Sequence, residues 1–218
     1  MCAFTTGKYP VVTNKPASPR GRIAIFIDGN NLFHAARAAG VEIDYAKLLE
    51  VLRGDDPLLR AFFYTGVDQN AERQQGFLLW MRRNGYRVVE KELKTFPDGT
   101  KKANLDVEIA VDMLSLADKY DTAILVSGDE DFAYAVNAVA YKGVRVEVAG
   151  FRSNTSPRLI DVADRFIELD SIVHEISKSE RSYLFNASTG QYQAFRRDWP
   201  NERSTQPLNE EMLKDLKD

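Results

Sequence analysis

Four aspartates in this chain stand where carboxylates could act together: Asp28, Asp106, Asp129 and Asp131. Asp28 ends the apolar run IAIFI (23–27) and is followed by Asn30 and Asn31, so a buried strand delivers a polar cluster at its tip. A second apolar run, TAILVS (122–127), leads into Gly128 and the consecutive acids Asp129, Glu130 and Asp131, whose mutual repulsion calls for a compensating cation. The segment KKANLDVEIAVDML (101–114) reads as a helix with an apolar face through Ile109, Ala110, Met113 and Ala117, and helical spacing puts Asp106 on that same face. Glu108 and Asp112 fall on a different face and read as solvated, with Asp112, directly after the apolar Val111, as a second-rank candidate for the acid site. An all-oxygen donor set of this kind suits Mg²⁺ or Mn²⁺ rather than zinc. Each acid also has a plainer explanation: Ser127 or Asp129 caps the helix that starts near Phe132, and Asp106 complements the dipole at the first turn of its own helix. Three acids at one helix start exceed what capping needs.

Other chemistries are poorly supplied. The chain has 2 histidines, His34 and His174, and His34 reads as an ordinary, partly buried residue on a helix face. No nucleophile elbow, Walker phosphate loop or dinucleotide glycine fingerprint follows the first strand.

The elements that must position the acids alternate along the chain. Apolar segments at 23–27, 61–66, 86–90, 122–127, 144–150 and 165–169 predict strands, and helical periodicity covers 31–39, 44–53, 70–84, 104–119, 131–142 and 156–164. This order predicts an α/β fold, a mostly parallel sheet covered by helices on both faces in a three-layer sandwich. The first and fourth strands are the most continuously apolar and belong at its centre. In such sheets ligands bind beyond the strand carboxyl ends where strand order reverses, which is where Asp28 falls. Residues 177–218 lose the pattern and read as a polar tail with room for a short terminal helix. Residues 1–20, with Lys8, Lys15 and Arg20 and no acid, read as a flexible basic arm.

With 218 residues, 44% hydrophobic and 28% charged, the chain is long enough for one buried core. A formal charge of −3 excludes a uniformly basic surface but allows a local basic track. Cys2 is the single cysteine and forms no internal disulfide, the N-terminus lacks the apolar core of a secretory leader, and no stretch is long enough to span a membrane. A cytoplasmic protein is expected.

D-G-N-N-L (28–32), A-N-L-D-V-E-I-A-V-D-M (103–113), S-G-D-E-D-F (127–132) and N-T-S-P-R-L-I-D-V-A-D-R-F-I-E-L (154–169), spaced in this order, resemble the NYN domain in its LabA-like branch, a relative of the PIN-domain nucleases. The resemblance covers about residues 21–170, and it implies a PIN-like, Rossmann-like domain, expected over 21–176, with a metal-dependent ribonuclease site. The family's metal-binding acids fall on Asp28, Asp106, Asp129 and Asp131, with Asn31 as their polar catalytic companion. The reaction implied is hydrolysis of RNA phosphodiester bonds with Mg²⁺ or Mn²⁺. RNA, single-stranded or structured, is expected to approach over Asn30 and a basic rim of Lys101, Lys102, Arg152 and Arg158, with Lys94, Phe96 and the turn Pro97-Asp98-Gly99 as a candidate flap. A homodimer is compatible with this reading.

Two rivals use the same residues. IFIDGNNL also resembles the opening of haloacid-dehalogenase-type phosphatases, but the expected second aspartate is Asn30 here, which removes their general acid. A LabA-like fold that binds RNA or protein and regulates without cleaving retains all four acids.

Overall fold

The computed structural model describes residues 20–68, 71–95, 97, 101–178, 182–186 and 191–195, with side chains for all but Lys101 and the last two segments. In chain order the elements are β1 (Ile23–Asp28), α1 (Gly29–Ala38), α2 (Tyr45–Arg53), β2 (Leu58–Val67), α3 (Glu72–Arg83), β3 (Tyr86–Glu92), β4 (Lys94–Thr95), β5 (Lys101–Lys102), α4 (Asp106–Ser115), β6 (Thr122–Val126), α5 (Ala133–Ala140), β7 (Arg145–Gly150), α6 (Pro157–Val162), β8 (Arg165–Glu168), α7 (Val173–Ile176), β9 (Ser182–Asn186) and β10 (Gln191–Phe195). All six predicted strands form, and they join in one parallel sheet ordered β3-β2-β1-β6-β7-β8.

β1 and β6 are central because both of their faces are covered. Ile23, Ile25 and Ile27 pack with α1, α2, α3 and α7, whereas Ala24 and Phe26 pack with α4, α5 and α6, as strand alternation requires. A strand with helices on either side has no polar face to offer, which is why both strands read as unbroken apolar runs. Phe26 also stacks on Phe62 of β2, with ring centroids 5.3 Å apart. Strand order reverses between β1 and β6. Ile27 pairs with Val126, so the next residues, Asp28 and Ser127, leave the sheet side by side.

Several features depart from the sequence reading. Arg20, read as part of a solvated arm, is buried at 6% exposure. Its guanidinium meets Asp56 at 2.7 Å and Glu147 at 3.4 Å, and donates to the carbonyls of Leu52 at 3.0 Å and Arg53 at 2.7 Å. Glu147 is a fully buried carboxylate on β7, also ion-paired with Arg145 and Arg165, and its burial requires such company. The rest of the arm lies outside the described residues. The expected flap includes a small antiparallel hairpin, β4 with β5, of whose tip Pro97 alone is among the described residues. β9 and β10 pair as an antiparallel hairpin where a polar tail was expected, in a separate unit that begins at Lys178; the expected terminal helix lies outside the described residues. Among the described residues, no helix is long and apolar enough to cross a membrane.

Candidate metal centre

The site assembles at the reversal point from two strand tips and one helix start. Asp28 ends β1 and caps α1, its Oδ1 accepting from the Asn31 backbone N–H at 3.1 Å. Its Oδ2 accepts from the Ser127 hydroxyl at 3.3 Å, just past β6. Asn31 returns the tie, its Oδ1 accepting from the Gly128 N–H at 2.9 Å. These bonds join the two central strands beyond their last ladder pair. Gly128 is required here because a Cβ would sit 1.9 Å from the Asn154 carbonyl oxygen, on the loop that follows β7. Asp129 closes the 3₁₀ turn Glu130–Phe132 by accepting from the Asp131 N–H at 3.0 Å. Asp106 begins α4, held by Asn104, whose Oδ1 accepts from the Asp106 N–H at 2.8 Å and whose Nδ2 donates to Asp106 Oδ2 at 2.6 Å.

Asp106, Asp129 and Asp131 present carboxylate oxygens that all lie within 4.8 Å of one another. Asp28 lies close enough to feel both Asp106 and Asp129. Burial first, and then those two charges, raise its carboxyl above the usual aspartate range, against the hydrogen bonds from Asn31 and Ser127. Asp106 is raised by burial first and by Asp129, Asp131 and Glu108 as well, with Asn104 opposing. Among the described residues no lysine, arginine or histidine forms an ion pair with any of the four. The nearby cation is engaged elsewhere: Lys91 donates to Glu108 at 2.7 Å and to the Asn104 carbonyl at 2.8 Å.

The residues fit a hard divalent cation. They offer only oxygen, they repel without a protein counter-charge, and about 2.1 Å metal–oxygen bonds need ligand oxygens about 3–4 Å apart, within small side-chain rotations of the spacing found. Asp129 caps through Oδ1 and keeps Oδ2 for an ion, and the Asp131 carboxylate accepts no hydrogen bond among the described residues, whereas both Asp28 oxygens are engaged, Oδ1 by Asn31 and Oδ2 by Ser127.

The expected substrate residues are more dispersed. Asn30 is half-buried in the first turn of α1, and Lys102 is exposed on β5, shortly before α4. The Lys101 side chain lies outside the described residues. Arg158 is exposed in the first turn of α6, which is tied to the site by the Ser156 N–H donating to Gly128 O at 2.9 Å. Arg152 is exposed, its guanidinium 5.4 Å from the centre of the Phe166 ring, while its backbone N–H donates to Asp170 Oδ2 at 2.8 Å. Two acids read as solvated are in fact partnered, Glu108 by Lys91 and Asp112 by the Tyr64 hydroxyl at 2.9 Å. His34 is exposed rather than partly buried, edge-on to Phe33. Asn104 and Lys91 escaped the sequence reading. Asn104 had a signal, an Asn just ahead of a helix start, whereas Lys91 has none, its partners being 13 and 17 residues away.

Residues 22–170 match the family model of the NYN domain. The chain belongs to the NYN-domain family. NYN domains are a PIN-like nuclease family, and the four-motif resemblance and the parallel three-layer fold agree with that membership. This NYN protein is LabA-like: it is 36% identical over 172 residues to the Low amplitude and bright protein LabA of Synechococcus elongatus, a match covering 75% of this chain and 92% of that protein. Its fold is also that of a protein of unknown function from Vibrio parahaemolyticus, whose crystal structure aligns with a TM-score of 0.65 at 29% identity, over 75% of this chain and 100% of the other.

Proposed function

We propose that this NYN domain, residues 21–176, is a metal-dependent ribonuclease that hydrolyses RNA phosphodiester bonds, with Mg²⁺ or Mn²⁺ held by Asp28, Asp106, Asp129 and Asp131. One observation carries the reading: carboxylates from both central strand tips and from α4 converge at the reversal point with no protein cation paired to them among the described residues. A bound ion supplies positive charge for the transferring phosphoryl group and a water of lowered pKa. The chain's own residues bind and orient. Asp106, Asp129 and Asp131 share the open end of the cluster, and Asp28 lies deeper, at the sheet. Asn31 and Ser127 hold the two strand tips in register, so the carboxylates keep their spacing when the charge among them changes. Lys102, shortly before α4, and Arg158, in the first turn of α6, attract the RNA backbone, with Lys101, Arg152 and Asn30 as further contacts. A reducing, cytoplasmic setting belongs to the same proposal.

The test is incubation of the full chain with end-labelled single-stranded and hairpin RNA, with Mg²⁺, Mn²⁺ or EDTA, beside Asp129→Asn. Cleavage that needs the ion and is lost in the variant is the expected result. Cleavage persisting in excess EDTA overturns the metal assignment. RNA binding without cleavage in either metal points instead to the non-catalytic regulator.

A further inference from the structure

Tyr134 and Tyr141 are the most exposed large hydrophobic side chains among the described residues, at 84% and 86%. Neither has a ring, hydrogen-bond or cation partner among those residues. Tyr64, Tyr86 and Tyr120, in contrast, are buried and donate through their hydroxyls to Asp112, Tyr45 O and Met113 O. An aromatic ring left almost wholly in water contributes nothing to the core and has a lower helix propensity than alanine. The fold therefore does not explain either tyrosine.

Position separates the two. Tyr134 is the second residue of α5 and follows Asp131 by three, whereas Tyr141 closes the far end of that helix, about 10.5 Å further along the axis. α5 packs between α4 and α6. The start of α4 holds Asp106 and the exposed Val107, with Lys102 just before it, and the start of α6 carries Arg158. Acids that could hold an ion, two cations and one unpartnered ring thus share the end of the molecule where these helices begin.

We propose that Tyr134 contacts substrate directly, stacking on the base that flanks the scissile phosphate, and so restricts the site to unpaired RNA. The inference rests on reading the acid cluster as a nuclease centre. Its physical basis is that a base in a duplex has both π-faces covered by its neighbours, so only an unpaired nucleotide can lay a face on the ring. Such stacking is sequence-tolerant and is worth about 5- to 150-fold in affinity per base. No base preference follows from it.

The experiment measures kcat and KM in Mn²⁺ on a short single-stranded oligouridine and on a blunt RNA duplex, for the parent, Tyr134→Ala, Tyr134→Trp and Tyr141→Ala. Tyr134→Ala should raise KM on the single strand by about tenfold, with kcat and the Mn²⁺-induced thermal shift at parent level. Tyr134→Trp should restore KM, Tyr141→Ala should match the parent, and the parent should prefer the single strand. An unchanged KM in Tyr134→Ala overturns the proposal. So does an equal loss in Tyr141→Ala, no rescue by tryptophan, or a parent that cleaves the duplex as readily. A parent that cleaves no RNA defeats the nuclease reading and this inference together, whereas a cleaving parent matched by Tyr134→Ala defeats the inference alone.

Discussion

In metal-free buffer, Asp129→Asn should melt above the parent, although it removes a charged group from a helix start. The oxygens of Asp106, Asp129 and Asp131 lie within 4.8 Å of one another. At that separation each pair of unit charges repels by about 0.9 kcal/mol in a water-like dielectric, and by more where partial burial lowers it. Neutralising Asp129 removes two such terms, and after salt screening the relief is about 1–2 kcal/mol. The opposing losses are small. Asparagine retains an Oδ1 to accept from the Asp131 N–H, so the cap survives, and the lost charge at the helix start costs about 0.3–1 kcal/mol. The net gain of about 1 kcal/mol corresponds to a Tm higher by about 2–4 °C for a domain of this size. Adding Mn²⁺ should reverse the order, because an ion at about one hundred times its Kd adds about 2.7 kcal/mol to the parent and little to the variant. Thermal melts in EDTA at low and high salt, then with Mn²⁺, measure each step, and the gain in EDTA should shrink as salt rises. A variant that melts below the parent in EDTA, or equal Mn²⁺ shifts in both proteins, refutes the convergent centre and leaves only helix caps.

Three further outcomes follow from the same geometry. Asp28 has a raised folded-state pKa, so its stabilising contribution is complete below the unfolded aspartate value of about 3.9 and is lost as pH rises through the folded value; denaturant titrations in EDTA should show a steeper decline in the parent than in Asp28→Asn, where Asp106 alone sustains it, and parallel curves would exclude it. Arg20→Ala leaves the buried Glu147 short of a partner and should cost about 3 kcal/mol in urea unfolding, at the low end for a broken buried pair because Arg145 and Arg165 remain; a loss within the surface-bridge range of about 1 kcal/mol or less contradicts that role. Lys102→Ala with Arg158→Ala should lower the salt slope of RNA binding by about one for each phosphate no longer neutralised, and an unchanged slope in anisotropy titrations places the RNA track elsewhere.

The parts legible in the sequence are those set by local pattern. Unbroken apolar runs mark β1 and β6 as central because only strands covered on both faces read that way. Acids directly after those runs are legible as a cluster because a buried strand can carry an unpaired charge only where it emerges, whereas Glu147 inside β7 is held by three arginines. Asp106 was legible from the helix face it shares with Ile109 and Met113. What stayed hidden depends on partners distant in sequence. Arg20 looks like a tail residue by composition, and its buried partner Glu147 lies 127 positions on. Asp112 reads as solvated until Tyr64, 48 residues earlier, reaches it from β2. The β9–β10 hairpin lies where scattered aromatics among polar residues give neither period clearly.

The sheet order also bears on how the protein is made. β1 receives β2 on one side soon after synthesis begins, but its other neighbour, β6, comes much later, and Ser127 stands 99 residues beyond Asp28. On the ribosome, a chain stopped before β6 holds Asp28 and Asp106 yet lacks Asp129 and Asp131, so the acid cluster is incomplete. Over the same interval β1 keeps one edge unpaired, with bare N–H and C=O groups along a strand that is apolar on both faces. The arrival of β6 therefore completes the acid cluster and covers an adhesive edge in one event. A truncated product of this chain is expected both to lack the acid cluster and to be prone to clump.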